Sequence, residues 1–365
     1  MVVSRAMVLE KFAHPLVEKT FQIGEIPDGH VLVKILASGV CGSDVHIYKG
    51  EDPRTPLPII LGHESVGEIV HVSGEKVDVN GEKVSKGDWI TWNRGIVCKE
   101  CYWCTVARQP HLCPNRKVYG INISSKNYPY LRGGYAEHMV LLPETEVLKI
   151  SKSVDPAVIA FAGCSGATAA NLFDSLNKPL YEETVVIQGA GPLGLYSVIF
   201  ARATGAKRII VISGSPLRLK LAKEIGADVV LNRHTLNLSE RRKRILDLTH
   251  GRGADVAIEA TGSSAAVVEG LEVLRRGGTY LIAGVAVPQS PIQIKVYEHI
   301  VNKGIHIQGI WVSDTTHVIQ AVSIAQRYQD TLQKMITHRM PLTKANEALD
   351  LMEKREALKV ILFPD

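Results

Sequence analysis

The sequence predicts an α/β protein that combines a β-rich domain with a domain built on a doubly wound parallel sheet. Three observations lead to this prediction. Short apolar runs separated by Gly, Pro and Asp fill roughly the first 155 residues. From residue 184 onward, strand-like apolar runs alternate with helical patterns. A chain of 365 residues is also long enough to build two separate cores.

The β-rich part is marked by short apolar runs bounded by turn residues. The clearest runs are residues 31–36, 67–70 and 89–92. A further run, 358–362, lies near the C-terminal end, and we expect it to form a strand that returns to this first domain. No internal repeat or low-complexity segment is evident in the sequence.

The pattern changes near Asp155 and Pro156, where a helical stretch begins that extends to about residue 178. Predicted strands follow at 184–188, 208–212, 228–231, 255–260 and 279–284. Helical patterns such as 216–225 lie between these strands. Strands that alternate with helices are typical of a parallel, doubly wound sheet.

The composition is ordinary for a globular protein and excludes several classes. Hydrophobic residues make up 45% and charged residues 22%, and the formal net charge of +5 is small for this length. The basic run 241–244 is expected to be a solvated helix face, so no nucleic-acid partner is predicted. The sequence has no run of about 18 apolar residues and no signal-peptide core, so we expect a cytoplasmic protein without a membrane span.

A glycine-rich turn predicts a dinucleotide site. Gly189, Gly191 and Gly194, with Pro192 and Leu193 between them, directly follow a predicted strand and open a helix. The first glycine permits the tight turn and the second lets the backbone approach a pyrophosphate. The third allows close packing of helix and strand, and the helix N-terminus faces the phosphate charge.

The cofactor cannot be chosen between NAD and NADP from the end of the second strand. An NAD enzyme of this kind usually carries an acidic residue about 20 positions after the glycines, which binds the ribose 2′-hydroxyl. Here Ser213 and Ser215 stand at that place and could donate to a 2′-phosphate, whereas no acid is present to repel one. Arg218 is nearby, at the start of a predicted helix.

Six cysteines dominate the chemistry of the sequence, and their spacing favours metal binding over disulfides. Cys98, Cys101, Cys104 and Cys113 can close a tetrahedral four-thiolate zinc site from a single loop. Such a site has no free position and stabilises a loop. His111 is close enough in sequence to compete with Cys113 as the fourth ligand.

The other two cysteines, Cys41 and Cys164, lie on either side of His63 in the sequence. Two thiolates and one imidazole would leave one position open, as catalytic zinc requires. The three residues are far apart, however, and a lone buried cysteine often acts as a small apolar residue. Their spacing alone therefore does not establish the site.

The order of the motifs resembles the zinc-dependent medium-chain alcohol dehydrogenase family over essentially the whole chain. The series runs Cys41-Gly-Ser-Asp-x-His46, Gly62-His-Glu-x-x-Gly67, the four-cysteine loop, Gly163-Cys164 with Thr168, and the 189–194 turn. The resemblance implies a GroES-like catalytic domain with two zinc sites at 1–155 and 310–365. It also implies a Rossmann dinucleotide-binding domain at 156–309.

The resemblance also implies individual roles. Cys41, His63 and Cys164 would ligate the catalytic zinc, and Glu64 would lie beside the metal. Three residues near the first ligand would assist it: Asp44 would orient the ligating histidine, Ser43 would take the proton of the substrate alcohol, and His46 would pass it to solvent. Thr168 would adjoin the nicotinamide.

The sequence departs from the family pattern in four places. The gap between Cys104 and Cys113 is one residue longer, and the segment from Gly67 to Asp88 is extended, which predicts a longer hairpin. The polyol-dehydrogenase branch often has a glutamate near the position of Cys164. The acidic residue expected at 213 is missing.

The function expected from these motifs is reversible oxidation of an alcohol to an aldehyde or ketone, with hydride transfer to NAD or NADP and two zinc ions per subunit. The alternatives are a polyol or amino-alcohol dehydrogenase acting on a sugar alcohol or a threonine-like substrate, and a non-catalytic zinc-stabilised nucleotide-binding protein. By analogy with the family we expect a homodimer or homotetramer that pairs through 279–284 and 285–288.

The remaining histidines receive structural interpretations. We expect surface or loop positions for His14, His30, His71, His234, His250, His317 and His338. Trp311 could line the substrate cleft.

Overall fold

The computed structural model describes residues 2–364, which form two compact units. The first unit comprises the described residues up to Ala167 and those from Ser313 onward. The second unit is Thr168–Val312.

The first unit is built mainly from antiparallel β-structure. A three-stranded sheet has the order β2-β1-β4, and a larger sheet runs β10-β6-β5-β3-β18-β17 with β9 also paired to β3. A short ribbon pairs β7 with β8. The strands that precede the second unit are β1 Val2–Leu9, β2 Val17–Ile23, β3 Val31–Val40, β4 Ile59–Ile60, β5 Glu64–Val72, β6 Trp89–Trp92, β7 Gly95–Ile96, β8 Lys117–Val118, β9 His138–Leu141 and β10 Val147–Lys149.

The C-terminal segment returns to this unit, which confirms that prediction. Strand β18, Lys359–Phe363, pairs antiparallel with β3 and parallel with β17, Ile336–Pro341. Both β3 and β18 are buried along most of their length, since they lie in the middle of the sheet. The helices of this unit are α1 Gly42–Tyr48, α2 Tyr102–Thr105, α3 Pro156–Phe161, α9 Thr315–Arg327, α10 Gln329–Gln333 and α11 Ala345–Glu353.

Two further features of the first unit bear on the sequence predictions. The extended segment after Gly67 does contain a hairpin, closed by an antiparallel bridge between Val77 and Lys83. The expectation that His317 is a surface or loop residue is wrong, because it lies on α9, is only 6% exposed and pairs with Asp314 at 2.8 Å. Its partner Asp314 is the N-cap residue of the same helix. The burial of the His317 ring depends on tertiary packing, which the sequence pattern does not show.

The second unit is a parallel sheet with helices between its strands, as predicted. The order β13-β12-β11-β14-β15-β16 corresponds to 3-2-1-4-5-6 in chain order, the arrangement typical of dinucleotide-binding folds. The strands are β11 Thr184–Gln188, β12 Arg208–Ser213, β13 Val229–Asn232, β14 Ala254–Glu259, β15 Leu274–Ile282 and β16 His306–Gly309. The helices are α4, whose span Ala167–Asp174 starts at the unit boundary, α5 Pro192–Ala203, α6 Pro216–Glu224, α7 Leu238–Leu248 and α8 Ser264–Val273.

The predicted pairing of two copies through residues 279–284 does not agree with the order of the strands in this sheet. The predicted strand 279–284 corresponds to the second half of β15, which is bonded to β14 on one side and to β16 on the other. It therefore does not present a free edge for pairing with a second copy. Strand β16 was not predicted, because its four residues, His-Ile-Gln-Gly, contain no apolar run, and all four are exposed.

One helical stretch, Pro156–Asp174, is long and apolar enough by composition to cross a membrane. Its apolar window is 83% buried inside the protein. Burial of this degree is typical of a core helix.

Candidate functional site

The four cysteines of the loop come together in space. The Sγ atoms of Cys101 and Cys104 are 3.5 Å apart, those of Cys101 and Cys113 3.8 Å, and those of Cys113 and Cys98 3.5 Å. A tetrahedron of thiolates with zinc–sulfur bonds of about 2.3 Å has edges of roughly 3.8 Å. The sulfurs are therefore spaced for one zinc ion, and none of these cysteines forms a disulfide.

The cysteine thiols of this loop differ in pKa, so a metal ion must displace protons from some of them when it binds. Backbone N–H groups of Glu100 and Cys101 lower the pKa of Cys98 to about 6, whereas burial and the neighbouring thiol of Cys101 raise that of Cys104 to about 12. A cation is needed to hold all four groups as thiolates. The competing candidate His111 is not part of the group of four donor atoms.

A second group brings together Cys41, His63, Glu64 and Cys164, whose donor atoms all lie within 4.8 Å of one another. The Sγ of Cys164 is 3.6 Å from Nε2 of His63. With zinc bonds of about 2.3 Å to sulfur and 2.05 Å to nitrogen, a tetrahedral site has a sulfur–nitrogen edge of roughly 3.6 Å. The spacing thus fits a zinc ion.

Local structure explains how these ligands are presented. Cys41 is the residue that precedes α1, and His63 lies between the short strand β4 and β5. Cys164 stands in a single π-helical turn, 162–166, that interrupts the helical stretch after α3. Such turns are frequent at functional sites. Gly62 has φ of +89°, and an added Cβ would lie 2.5 Å from the ring of Tyr135, so a glycine is required beside His63.

Asp44 connects two of the candidate ligands. Its Oδ1 lies 3.2 Å from Nδ1 of His63, and its Oδ2 accepts from the backbone N–H of Cys41 at 2.8 Å. The hydroxyl of Tyr135 also donates to Oδ2 at 3.1 Å. A carboxylate on Nδ1 leaves Nε2 of His63 directed at the cysteines, which is the orientation that a metal ligand needs.

The charges of this group favour a bound cation. Burial lowers the pKa of His63, but Asp44 and the Cys41 thiolate outweigh burial and raise it to about 10. A hydrogen bond from Cys164 lowers the pKa of the Cys41 thiol. The group therefore holds negative charge that must be balanced by protons or by a metal.

Glu64 and Lys359 form a buried pair that sequence reasoning missed. Lys359 Nζ lies 2.7 Å from Oε2 of Glu64 and donates to the carbonyl of Val40 at 3.1 Å. Burial raises the pKa of Glu64 to about 6 despite the lysine. The other carboxylate oxygen, Oε1, is buried and has no hydrogen-bond partner among the described residues. The available signal was a lone lysine inside the apolar run 358–362.

Ser43 and His46 lie on α1 three residues apart, which places them on one face of the helix. The Ser43 hydroxyl oxygen is 3.9 Å from Sγ of Cys41, next to the candidate metal centre. His46 is partly exposed and its Nδ1 lies 2.5 Å from the Glu51 carboxylate. The two residues thus stand between the buried group and the surface.

The second unit contains the glycine turn between β11 and α5. An added Cβ at Gly189 would lie 2.7 Å from the carbonyl oxygen of Ala260, and one at Gly194 would lie 2.0 Å from the carbonyl oxygen of Gly189. A Cβ at Gly191 would meet nothing within 4 Å. The first and third glycines are therefore required for packing, whereas the second leaves open space at the N-terminus of α5, where Pro192 and Leu193 begin the helix. The Gly189–Gly194 turn and the N-terminus of α5 thus form a cradle that fits a pyrophosphate.

The end of β12 carries the other predicted cofactor residues. Ser213 ends the strand, and Ser215 precedes α6 and accepts from the backbone N–H of Arg218 at 3.4 Å. Two basic residues that were not predicted to adjoin the cofactor, Arg233 and His234, lie against Gly214. A Cβ at Gly214 would be 2.8 Å from Nε of Arg233 and 2.4 Å from Nε2 of His234. The loop is therefore basic.

Thr168, the predicted nicotinamide neighbour, is the second residue of α4 and is partly exposed. Its role stays a prediction. Trp311 is 41% exposed in the second unit.

Comparisons with known proteins agree with this chemistry. The family model described as "Alcohol dehydrogenase GroES-like domain" matches residues 27–152, and the one described as "Zinc-binding dehydrogenase" matches residues 192–327. The chain is 32% identical to 5-exo-hydroxycamphor dehydrogenase of Pseudomonas putida over 92% of its own length and 91% of that protein. It is 31% identical to L-threonine 3-dehydrogenase of Bacillus velezensis over 99% of both chains.

A solved structure extends the likeness to the whole fold. The alcohol dehydrogenase from Thermotoga maritima is 60% identical, covers 100% of both chains and superposes with a TM-score of 0.98. Curated relatives and solved structure alike are dehydrogenases matched along nearly their full length. This chain belongs to the zinc-dependent medium-chain alcohol dehydrogenase family.

Proposed function

We propose that this oxidoreductase oxidises an alcohol reversibly to an aldehyde or ketone at the centre formed by Cys41, His63 and Cys164. The observation that carries the proposal is the convergence of these three donors with Asp44 on Nδ1 of His63. Three protein ligands leave one position for substrate. When bound there, zinc supplies a Lewis acid that makes an alcohol easier to deprotonate.

The proton leaves through residues of α1 in this proposal. Ser43 accepts the proton of the substrate hydroxyl as it gives up its own, and His46 takes up that proton and passes it to solvent. An imidazole suits the second step because its ordinary pKa lies near neutrality. The Glu51 carboxylate 2.5 Å from Nδ1 of His46 holds that ring in place.

The hydride acceptor is NAD or NADP, bound at the cradle around Gly191 with Thr168 beside the nicotinamide. The ribose end lies at Ser213, Ser215 and Arg218. The basic residues Arg233 and His234 beside Gly214 and the absence of an acid at 213–215 support NADP as the preferred form.

Glu64 is an accessory residue of the metal centre in this proposal. One of its carboxylate oxygens lies in the donor group; Oε2 is held by Lys359, while Oε1 has no hydrogen-bond partner among residues 2–364. The four-cysteine loop takes the second zinc and serves stability, since all four of its positions are filled by protein.

The assembly is a homodimer or homotetramer in the cytoplasm. Strand β16 is the exposed edge of the parallel sheet, and Ile307 on it is 43% exposed. Tyr297 and Val301, in the segment before this strand, are 66% and 64% exposed. An exposed strand edge with apolar side chains suits pairing with a second copy.

Zinc content and turnover test the proposal together. We expect two zinc ions per chain in the wild type and one in Cys164→Ala, with reduction of NAD or NADP by alcohols lost in the variant. In the matched control, Cys104→Ala, we expect loss of the other zinc ion, the one in the four-cysteine loop, while the ligands of the proposed catalytic centre stay unchanged. One zinc in the wild type and no reduction of either nucleotide would favour the non-catalytic nucleotide-binding alternative.

The substrate branch is tested in the same assay. Simple primary and secondary alcohols are compared with a sugar alcohol and with L-threonine. Faster oxidation of either of the last two would move the assignment to the polyol or amino-alcohol branch.

A further inference from the structure

Two arginines are brought side by side next to the candidate zinc centre. Arg94 directly precedes β7 and Arg116 directly precedes β8, and these two strands pair in a short antiparallel ribbon. The backbone N–H of Tyr119 also donates to the carbonyl of Arg94 at 3.1 Å. The ribbon thus holds both residues in one place.

Arg94 extends toward the ligand Cys164. Its Nη1 donates to the carbonyl of Gly163, the residue before Cys164, at 2.7 Å. Arg94 is only 5% exposed, and its buried Nε has no hydrogen-bond partner among residues 2–364. Its positive charge also reaches the thiol of Cys164, whose pKa it acts to lower against the effects of Cys41 and burial.

Arg116 occupies space that only a glycine leaves free. A Cβ at Gly95 would lie 2.0 Å from Nη2 of Arg116 and 2.2 Å from its Nε. The guanidinium donates to the carbonyl of Ser313 at 3.2 Å, and its buried Nε has no hydrogen-bond partner in the part of the chain that the structure describes. Burial and the nearby charges of Arg94 and Arg54 lower the pKa of Arg116 to about 9.

The neighbouring carboxylates do not neutralise these two groups. Asp52 is engaged with Arg54, whose Nε lies 2.9 Å from it, and Asp314 is paired with His317 at 2.8 Å. Asp314 raises the pKa of Arg116, but by less than burial, Arg94 and Arg54 each lower it. Among residues 2–364, neither Arg94 nor Arg116 forms an ion pair with a carboxylate.

An unpaired buried guanidinium is costly, because burial removes its hydration and no anion compensates. Arginine is well suited to carboxylates and phosphates, because its planar group donates two parallel hydrogen bonds. We propose that Arg94 and Arg116 bind an anionic group, a carboxylate or a phosphate, on the alcohol substrate. This inference rests on the proposed function and narrows its substrate class to hydroxy acids or phosphorylated alcohols.

Matched substrate pairs test the inference. 3-Hydroxybutyrate is compared with its neutral methyl ester, and glycerol 3-phosphate with glycerol, so the two pairs distinguish a carboxylate from a phosphate. We expect kcat/KM to favour the charged member of one pair. In Arg116→Gln that preference falls by about 10- to 100-fold while the neutral member changes less than about twofold, because only the charge-assisted bonds are lost.

Two variants separate recognition from folding. Gly95→Ala keeps every charge but displaces the Arg116 guanidinium, and we expect it to lose the same preference. Arg116→Lys retains a positive charge but not the two parallel donors of the guanidinium, so its preference for the charged substrate should be intermediate. The control Arg244→Gln removes an exposed charge on α7 and should change nothing. Zinc content is measured on each variant.

The outcomes are distinguishable from failure of the proposed function. Equal turnover of charged and neutral members, or preference for the neutral ones, overturns the inference and leaves alcohol oxidation intact. If no alcohol is oxidised, the proposed function fails, and titration calorimetry with 3-hydroxybutyrate and glycerol 3-phosphate decides. If the wild type binds either anion and Arg116→Gln does not, the result supports the anion site. If the wild type binds neither anion, the proposed anion site is overturned.

Discussion

Lys359 and Glu64 form a fully buried ion pair, with Nζ 2.7 Å from Oε2 and with side chains 1% and 0% exposed. Lys359 also lies over the ring of Phe161 at 5.5 Å and bonds to the carbonyl of Val40. The pair connects the last strand of the chain to a residue of the candidate metal centre. The C-terminal strand therefore contributes directly to the electrostatics of that centre.

Removing the lysine alone should be strongly destabilising. Lys359→Met leaves the buried Glu64 carboxylate without its ion-pair partner, and we expect a loss of about 3–5 kcal/mol in the free energy of unfolding, measured by denaturant titration. The double variant Lys359→Met with Glu64→Gln should recover most of this loss, because neither member of the pair then carries a charge. The exposed pair Lys354–Asp350 provides the control, and Lys354→Met should change the free energy of unfolding far less, because water screens this pair. A Lys359→Met protein as stable as the wild type would contradict this account.

Asp44 should control zinc affinity at the second site. Asp44→Asn replaces an acceptor that contacts both Nδ1 of His63 and the N–H of Cys41, and we expect zinc affinity at this site to fall about 10- to 100-fold. Competition with a chelator measures it. Tyr135→Phe removes only one bond to the same carboxylate and should have a smaller effect. Equal losses in both variants would argue against orientation of His63 as the cause.

Zinc binding to the four-cysteine loop should depend on pH. The raised pKa of Cys104, about 12, means that its thiol keeps its proton at neutral pH until a metal displaces it. Metal binding therefore releases protons, and affinity rises with pH. Below about pH 6 even Cys98 is protonated, so we expect the loop to release zinc there, with a lower Tm. Zinc retained after dialysis across pH 5 to 8 measures this; retention independent of pH would refute it.

The cradle glycines should separate cofactor binding from folding. Gly191→Ala meets open space and has φ of −77°, so we expect an unchanged Tm but nucleotide affinity at least about 10-fold weaker, because the methyl group enters the pyrophosphate space. Gly194→Ala clashes with the Gly189 carbonyl and should lower the Tm. Fluorescence titration with NADH and NADPH measures the affinities. Unimpaired binding to Gly191→Ala would place the pyrophosphate elsewhere.

Local patterns predicted the larger part of the fold. The parallel strands and the Gly189–Gly194 turn could be recognised because each depends on residues close together in the chain. The four-cysteine loop was visible for the same reason. Strand β16 was missed because four polar or mixed residues carry no periodic signal, and their pairing with β15 depends on the sheet already in place.

The sequence by itself determined the class of protein, since cysteine spacing, the glycine turn and the order of motifs are properties of a linear chain. The tertiary structure alone decided which distant residues meet. Cys164 lies 101 residues from His63 and Lys359 295 residues from Glu64, yet both pairs are in contact. No periodicity encodes such contacts, because they arise only when strands and helices pack and bring buried polar groups to the partners that compensate them.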